Sequence, residues 1–526
     1  MKQIIVSGIK VPVLHSQDDV FKIAAKEAAT CKIEVSNPHI YKKSLDARRK
    51  NDIHFVYSVV FDTEDIDNKV LSRNIKIFED QSPLKALEIK KPFKVLVVGS
   101  GPAGLFAAYR LAQCSVDVTV IERGGDIEKR KKAVKKFWET GILNPECNIQ
   151  FGEGGAGTFS DGKLNTGTSS PLQRFVLETF VESGAPRGIL YDAKPHIGTD
   201  FLSICVKNIR EKIKSMGGRF LFDTCLTDLT IKDGKVVGAT LNDSAYIDCD
   251  ALILAPGHSS RDTYEMLFKK GVSMQQKPFA AGVRIEHKRE FINDVQYGKS
   301  SDTVLLPTAD YRLVYNGENR SVYSFCMCPG GTVVNASSEE DGLCVNGMSE
   351  HARMADNSNS ALVVTVKPDD FGGDSPLAGV EFQRQYERAA FAVAEGCAPV
   401  QLARDFIQDR TSDSFDEVTP SFTGKTEFVD LRECLPQFIA DSLKEGLLDF
   451  EKKIKGFSAG GSVLTGVEMR TSAPLRIMRN ENFESVSHAG LFPCGEGAGY
   501  AGGIMSAAVD GLRTANSLIE QINCKK

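Results

Sequence analysis

From Lys94 onward the apolar residues come in short continuous runs. Lys94-Val-Leu-Val-Val98, Val116 to Ile121 and Asp250-Ala-Leu-Ile-Leu-Ala-Pro-Gly257 are each short and aliphatic, which predicts strands buried on both faces of a parallel sheet. Glycines and a helical pattern separate the first two, making a βαβ unit. Leu226 to Leu241 predicts two strands around Lys232-Asp-Gly-Lys235, a hairpin turn signal. Upstream the pattern differs. Ile4 to Val13 is strand-like, and Asp18 to Ala29 predicts an amphipathic helix with Val20, Ile23 and Ala24 on one face. Cys31 to Val35 and His54 to Asp62 predict further strands. Asp46-Ala-Arg-Arg-Lys50 reads as a solvated basic turn, and Gln81 to Pro92 as a polar linker. Residues 271 to 455 mix strand and helix patterns. Gly490 to Ile522 returns to a strand, a glycine-rich turn and an alanine-rich helix.

Composition narrows the class. At 526 residues the chain is too long for one core. A net charge of -5 argues against a dedicated nucleic-acid binder. No apolar run reaches the length of a membrane span, and the N-terminus lacks the apolar core of a signal peptide. Thirteen scattered cysteines read as reduced thiols of a cytoplasmic protein. The histidines have no metal-site spacing, so no metal is expected.

Gly99-Ser-Gly101-Pro-Ala-Gly104 follows a predicted strand and opens a predicted helix, the context in which G-x-G-x-x-G marks a dinucleotide site. Gly99 makes the tight turn, Gly101 admits the pyrophosphate and Gly104 lets helix and strand pack. Pro102 suits the first helical turn, whose free N–H groups face the phosphates. Glu122 ends the second strand, where a carboxylate accepts from a ribose diol. Two later loops point to FAD rather than NAD. Phe151-Gly-Glu-Gly-Gly-Ala-Gly-Thr-Phe-Ser-Asp-Gly162 can bring backbone N–H groups to a flavin or phosphate. Cys494-Gly-Glu496-Gly-Ala-Gly-Tyr-Ala-Gly-Gly503 offers a carboxylate to a ribityl chain, and the helix after it a positive end to the flavin.

In this order the motifs resemble the glutathione reductase and p-hydroxybenzoate hydroxylase superfamily of FAD proteins. Pro256 stands where that superfamily's A-T-G motif has Thr, and Glu496 where its late motif has Asp. More narrowly, Gly152 to Leu164, Leu254-Ala-Pro-Gly-His-Ser259 and Cys494 to Gly503 resemble the prokaryotic NAD(FAD)-utilising dehydrogenase family, whose substrates are largely uncharacterised. The expected fold is α/β. A Rossmann-like FAD-binding domain is split between 89–270 and 456–526, an α+β substrate domain is inserted at 271–455, and a small α/β module occupies 1–88. The expected FAD contacts are Gly99, Gly101, Pro102, Ala103, Gly104, Glu122, Arg123, Gly154, Gly155, Gly157, Thr158, Leu226, Ala255, Gly257, Gly495, Glu496, Gly503 and Ile504.

The expected chemistry is hydride transfer at flavin N5 with a small-molecule substrate. Four residues are candidates for it. Lys163 can bind an anion, and His258 can carry a proton near neutral pH. Arg470 can clamp a carboxylate, and Tyr500 can donate to a developing negative charge. Structural roles compete for each. Cys494 reads as a packing cysteine. Cys326 and Cys328 could exchange electrons with flavin, but Cys326-Met-Cys328 lacks the neighbouring activation of a redox pair. No second strand-bound G-x-G-x-x-G is present, so NAD(P)H as electron donor would bind without a Rossmann domain of its own. Two other readings stay open. One is an RNA-modification flavoprotein, supported by the run Lys129-Arg-Lys-Lys-Ala-Val-Lys-Lys136, although a solvated helix face explains that run. The other is a flavin-holding scaffold without turnover.

Overall fold

The computed structural model describes residues 2–64, 72–79, 84, 89, 91–167, 169–298, 305–318 and 320–524. Most of the 81–92 segment expected as a linker lies outside the described residues. The first apolar runs form a five-stranded parallel sheet, in the order Leu491–Pro493, Ala251–Leu254, Lys94–Val98, Asp117–Ile121 and Arg219–Leu221. The helices Pro102–Gln113 and Ile504–Cys524 pack together on one face of it, sharing a core with Val95, Val97 and Val118. The opposite face, through Leu96, Val98 and Leu252, meets a three-stranded antiparallel sheet that contains the Leu226–Lys232 and Lys235–Leu241 hairpin.

A seven-stranded sheet forms the middle domain around its own core. Its strand Val463–Glu468 pairs with Phe279–Lys288 and Ala398–Leu402. The middle sheet therefore reaches past residue 455, where the sequence pattern placed the return to the cofactor domain. The reason is long-range: a solitary apolar run does not reveal which sheet it joins.

The N-terminal module is a four-stranded antiparallel sheet with the helix Gln17–Thr30 packed on it. Ser16 caps that helix in a box with Asp19. Cys31–Val35, expected as a strand, is instead a turn and connector, and the strand runs over Ser36–Asp46. That strand is mostly exposed, so it lacks the apolar alternation used to find strands. Its Lys43 exchanges backbone hydrogen bonds of 2.7 and 2.8 Å with Tyr191 and Ala193, docking the module on the rest of the chain. Among the described residues no helix is long and apolar enough to cross a membrane.

Candidate functional site

The parallel strands finish level with one another. Gly99 N–H donates to Ile121 at 2.8 Å, Ala255 N–H to Val98 at 2.9 Å and Cys494 N–H to Leu254 at 2.9 Å. Their carboxyl ends open a crevice, the place where open α/β sheets bind ligands. The turn after the first strand demands glycine. Gly99 has φ +94°, and a Cβ there would stand 2.2 Å from the Ala255 carbonyl oxygen. At Gly104 a Cβ would stand 1.9 Å from the Gly99 oxygen, so helix and turn touch through bare backbone.

The second glycine loop is held by a residue inside the basic run. Arg130 is fully buried and donates to the carbonyls of Asn148 (2.9 Å), Ile149 (2.6 Å), Glu153 (2.7 Å) and Gly155 (2.9 Å). Burial lowers its guanidinium to about 10, still charged at neutral pH. Glu153 of the same loop is buried too, accepting from Ile127 N–H at 2.7 Å and pairing with Arg210 at 3.0 Å.

A cavity of about 350 Å³ lies where these loops meet the middle sheet, a size typical of small-molecule sites. Of the expected contacts, Gly99, Gly101, Pro102, Ala103, Glu122, Arg123, Gly155, Gly157, Ala255, Gly257, Glu496, Gly503 and Ile504 line it. Gly104, Gly154, Thr158, Gly495 and Leu226 do not. The first four stand behind the wall, Gly495 N–H donating to Asp510 at 2.8 Å. Leu226 belongs to the core beneath the hairpin, and Thr224 lines the cavity in its place.

Glu122 is already occupied. Its oxygens accept from Ser100 N–H (2.9 Å), Ser100 Oγ (2.7 Å), Gly124 N–H (3.0 Å) and Gly152 N–H (2.9 Å). The carboxylate therefore ties the first glycine turn to the second glycine loop. Arg123 stacks over Phe151 at 4.4 Å and pairs with Glu146 and Asp262. Glu496 is enclosed, and burial pushes it up to about 7 while the Lys277 ammonium pulls back.

The candidate chemical residues separate. Lys163 lines the cavity, and its ammonium is 2.9 Å from Asp161. Asp161 is shared, since Arg353 and Ser349 also bind it. His258 lines the cavity, but burial and then the Arg470 and Arg261 charges lower it to about 4. It is therefore neutral at neutral pH, which corrects its expected role as a proton carrier there. Arg470 reaches the cavity wall with its guanidinium already bound bidentately to Glu387, at 2.7 and 2.5 Å, and so is not a free carboxylate clamp. Tyr500 is not among the residues that line the cavity. Its ring lies under the Arg479 guanidinium at 3.7 Å and its hydroxyl accepts from Arg479 N–H at 3.2 Å.

Sequence reasoning missed Phe325, Asn346 and Thr471, which line the cavity from the middle domain beside Cys326. No local motif surrounds them; the packing of the middle domain against the cofactor domain delivers them. Around Cys326 the structure does place cations, Lys163 and Arg284, contrary to the expectation of an unactivated C-x-C.

Residues 93–280 match the family model of the pyridine nucleotide-disulphide oxidoreductases. Residues 278–471 match the model described as FAD-dependent protein, C-terminal domain-like, and residues 1–62 a domain of unknown function, DUF8436. An uncharacterized protein of Clostridium beijerinckii is 51% identical over 517 residues, covering 96% of each chain. Among solved structures, the flavin-dependent brominase Bmp2 matches at 15% identity and a TM-score of 0.37, over 82% of this chain and 81% of its own. A glycine oxidase from Bacillus cereus matches at 11% identity and a TM-score of 0.34, over 82% of this chain and 95% of its own. At such scores neither bears on the chemistry. Fold, glycine loops and family models together define an FAD-dependent oxidoreductase of Rossmann type. The chain belongs to the family of FAD-dependent proteins to which the Clostridium beijerinckii relative belongs, and FAD is its cofactor. The residues present fit that cofactor: a Cβ on Gly155 would stand 2.9 Å from Gly101 Cα, so the two glycine loops face each other across bare main chain at the cavity wall.

Proposed function

We propose that the protein is a dehydrogenase or reductase that passes a hydride between flavin N5 and a small-molecule substrate held against the middle sheet. One observation carries this reading: three glycine loops at the carboxyl ends of the parallel strands and the polar wall of the middle domain share one cavity. Bound FAD supplies the two-electron chemistry. The Gly99–Gly104 turn and the helix Pro102–Gln113 take the pyrophosphate through N–H groups and the positive helix end. Glu122 serves the cofactor by fixing the two glycine loops to each other, because its own oxygens already carry four protein donors. Glu496 takes ribityl hydroxyls, and the start of Ile504–Cys524 faces the flavin ring. Phe325, Asn346 and Thr471 contact the substrate, and Lys163 favours an anionic one. The RNA-linked reading weakens, since Arg130 of the basic run is spent on the interior.

The test is a visible spectrum of purified protein, repeated anaerobically after NADH and then NADPH. Bleaching of flavin bands by one donor supports the reading and names the donor. Bands that stay oxidised with both move the protein to a substrate-reduced enzyme or a scaffold. Absence of flavin after reconstitution with FAD ends the reading.

A further inference from the structure

The strand Ser321–Cys328 pairs with Asn357–Val366 but slips register between Phe325 and Cys328. Such a bulge re-aims side chains and is common beside active sites. Cys326 sits inside it with φ +42°, a left-handed conformation that non-glycine residues seldom adopt. Backbone held there clusters at functional sites. The bulge puts Phe325 and Cys326 on the cavity wall shared with Glu496, Gly503 and the glycine loops.

Cys328 is fully buried and lies two residues from Cys326 at the other side of the same bulge. Its Sγ also lies 3.4 Å from the Cys326 carbonyl oxygen and 3.9 Å from Arg284 Nη1. Arg284 is buried and held by Glu468 at 2.7 and 3.0 Å and by Asn359 at 2.6 Å. Lys163 brings a second cation. Its stem is partly exposed, but its ammonium nitrogen is enclosed beside the Asp161 carboxylate at 2.9 Å.

The pair's electrostatics agree. The Cys328 side chain, followed by the Lys163 and Arg284 charges, pulls the Cys326 thiol down against burial and the Asp161 carboxylate. The Cys328 thiol is pushed up. Burial also pushes up Cys205, Cys249, Cys344, Cys434 and Cys494. A lowered thiol beside a raised one divides the roles of attacking and resolving sulfur.

We propose that Cys326 and Cys328 are a redox dithiol of the flavin site, exchanging two electrons with the flavin by closing and opening a disulfide inside the bulge. The inference rests on the flavin reading above. In the oxidising direction the Cys326 thiolate and the Cys328 thiol join in one S–S bond, and the Cys328 S–H bond breaks. Two electrons pass to oxidised flavin, and the Cys328 proton goes with them to N5. Reduced flavin reverses the step and restores one thiolate and one thiol.

The experiment titrates air-oxidised holoprotein anaerobically with dithionite, following the flavin bands, and counts alkylatable thiols by mass spectrometry before and after. Wild type should take up twice as much dithionite per flavin as C326S and C328S. The oxidised wild-type peptide carrying both cysteines should be lighter by two hydrogens than the reduced one. Should the variants not fold, the wild-type thiol count decides alone. Flavin that bleaches while both cysteines are alkylatable throughout overturns the dithiol and leaves the flavin reading standing. Wild type without flavin bands overturns both.

Discussion

Glu496 is enclosed among Lys277, the Gly503 N–H and Cys326, and its carboxyl stands at about 7 in the free protein because burial outweighs the favourable contacts. The proposed ribityl hydroxyls would donate to it, and donors favour the charged form. FAD binding would then lower the carboxyl and release a proton. The sign follows: the complex holds fewer protons than the free protein, so affinity rises with pH up to about 7 and levels above it. The slope is at most about tenfold per pH unit, since one group titrates. E496Q should show a flat profile. Measuring the FAD Kd across this range checks it, and a flat wild-type profile removes Glu496 from the ribityl role. At the same scale His258 shows why residue type alone misleads. A histidine after a glycine turn reads as a proton carrier, but burial of its ring and two neighbouring arginines keep it neutral.

Elements formed by local rules were readable in the sequence. Lys94–Val98, the glycine turn and Pro102–Gln113 appear where apolar runs and fingerprint place them, because each depends on neighbours in the chain. Arg130 was readable but overlooked inside a basic run. Ile127, Arg130, Val134 and Phe137 are the buried residues of the helix Ile127–Thr140, spaced three, four and three apart, so the arginine lies on the core-facing stripe. R130M should leave at least four carbonyls without their donor, destabilising the protein by about 3 kcal/mol or more. FAD retention should fall with it, because those carbonyls shape the second glycine loop. Denaturant unfolding and bound-flavin content together check this; a variant with wild-type stability and full flavin contradicts it. Phe325, Asn346 and Thr471 belong to the other class: only the long-range packing of the middle domain brings them to the cavity, and no window of sequence contains that packing.

Across the whole molecule, the cofactor and middle domains are joined by a buried ionic knot beside the cavity. Arg261 follows the Ala255-Pro-Gly257 turn, and Glu387 lies on the middle-domain helix Ala378–Val393. Arg261 reaches the Glu387 carboxylate at 2.8 and 3.0 Å, and Arg470 grips it from the other side at 2.7 and 2.5 Å. Arg470 also donates to Ser259 at 3.1 Å, returning the contact to the cofactor domain. Burial alone would raise the Glu387 carboxyl, but the two guanidiniums outweigh it and hold it below its ordinary value. A depressed folded-state carboxyl contributes stability that is present above its unfolded value and lost as pH falls through the folded one. E387Q removes the charge, leaving Arg470 without a carboxylate partner and Arg261 with Glu339 alone, a change that costs about 3–5 kcal/mol when buried pairs are broken. Its stability should fall most at neutral pH, and the gap from wild type should narrow on acidification. Because the knot borders Ser259 and His258, the variant should also hold flavin less tightly. Thermal unfolding of both proteins from neutral to acidic pH, with flavin release followed in parallel, distinguishes this from a surface pair, for which E387Q would match wild type throughout.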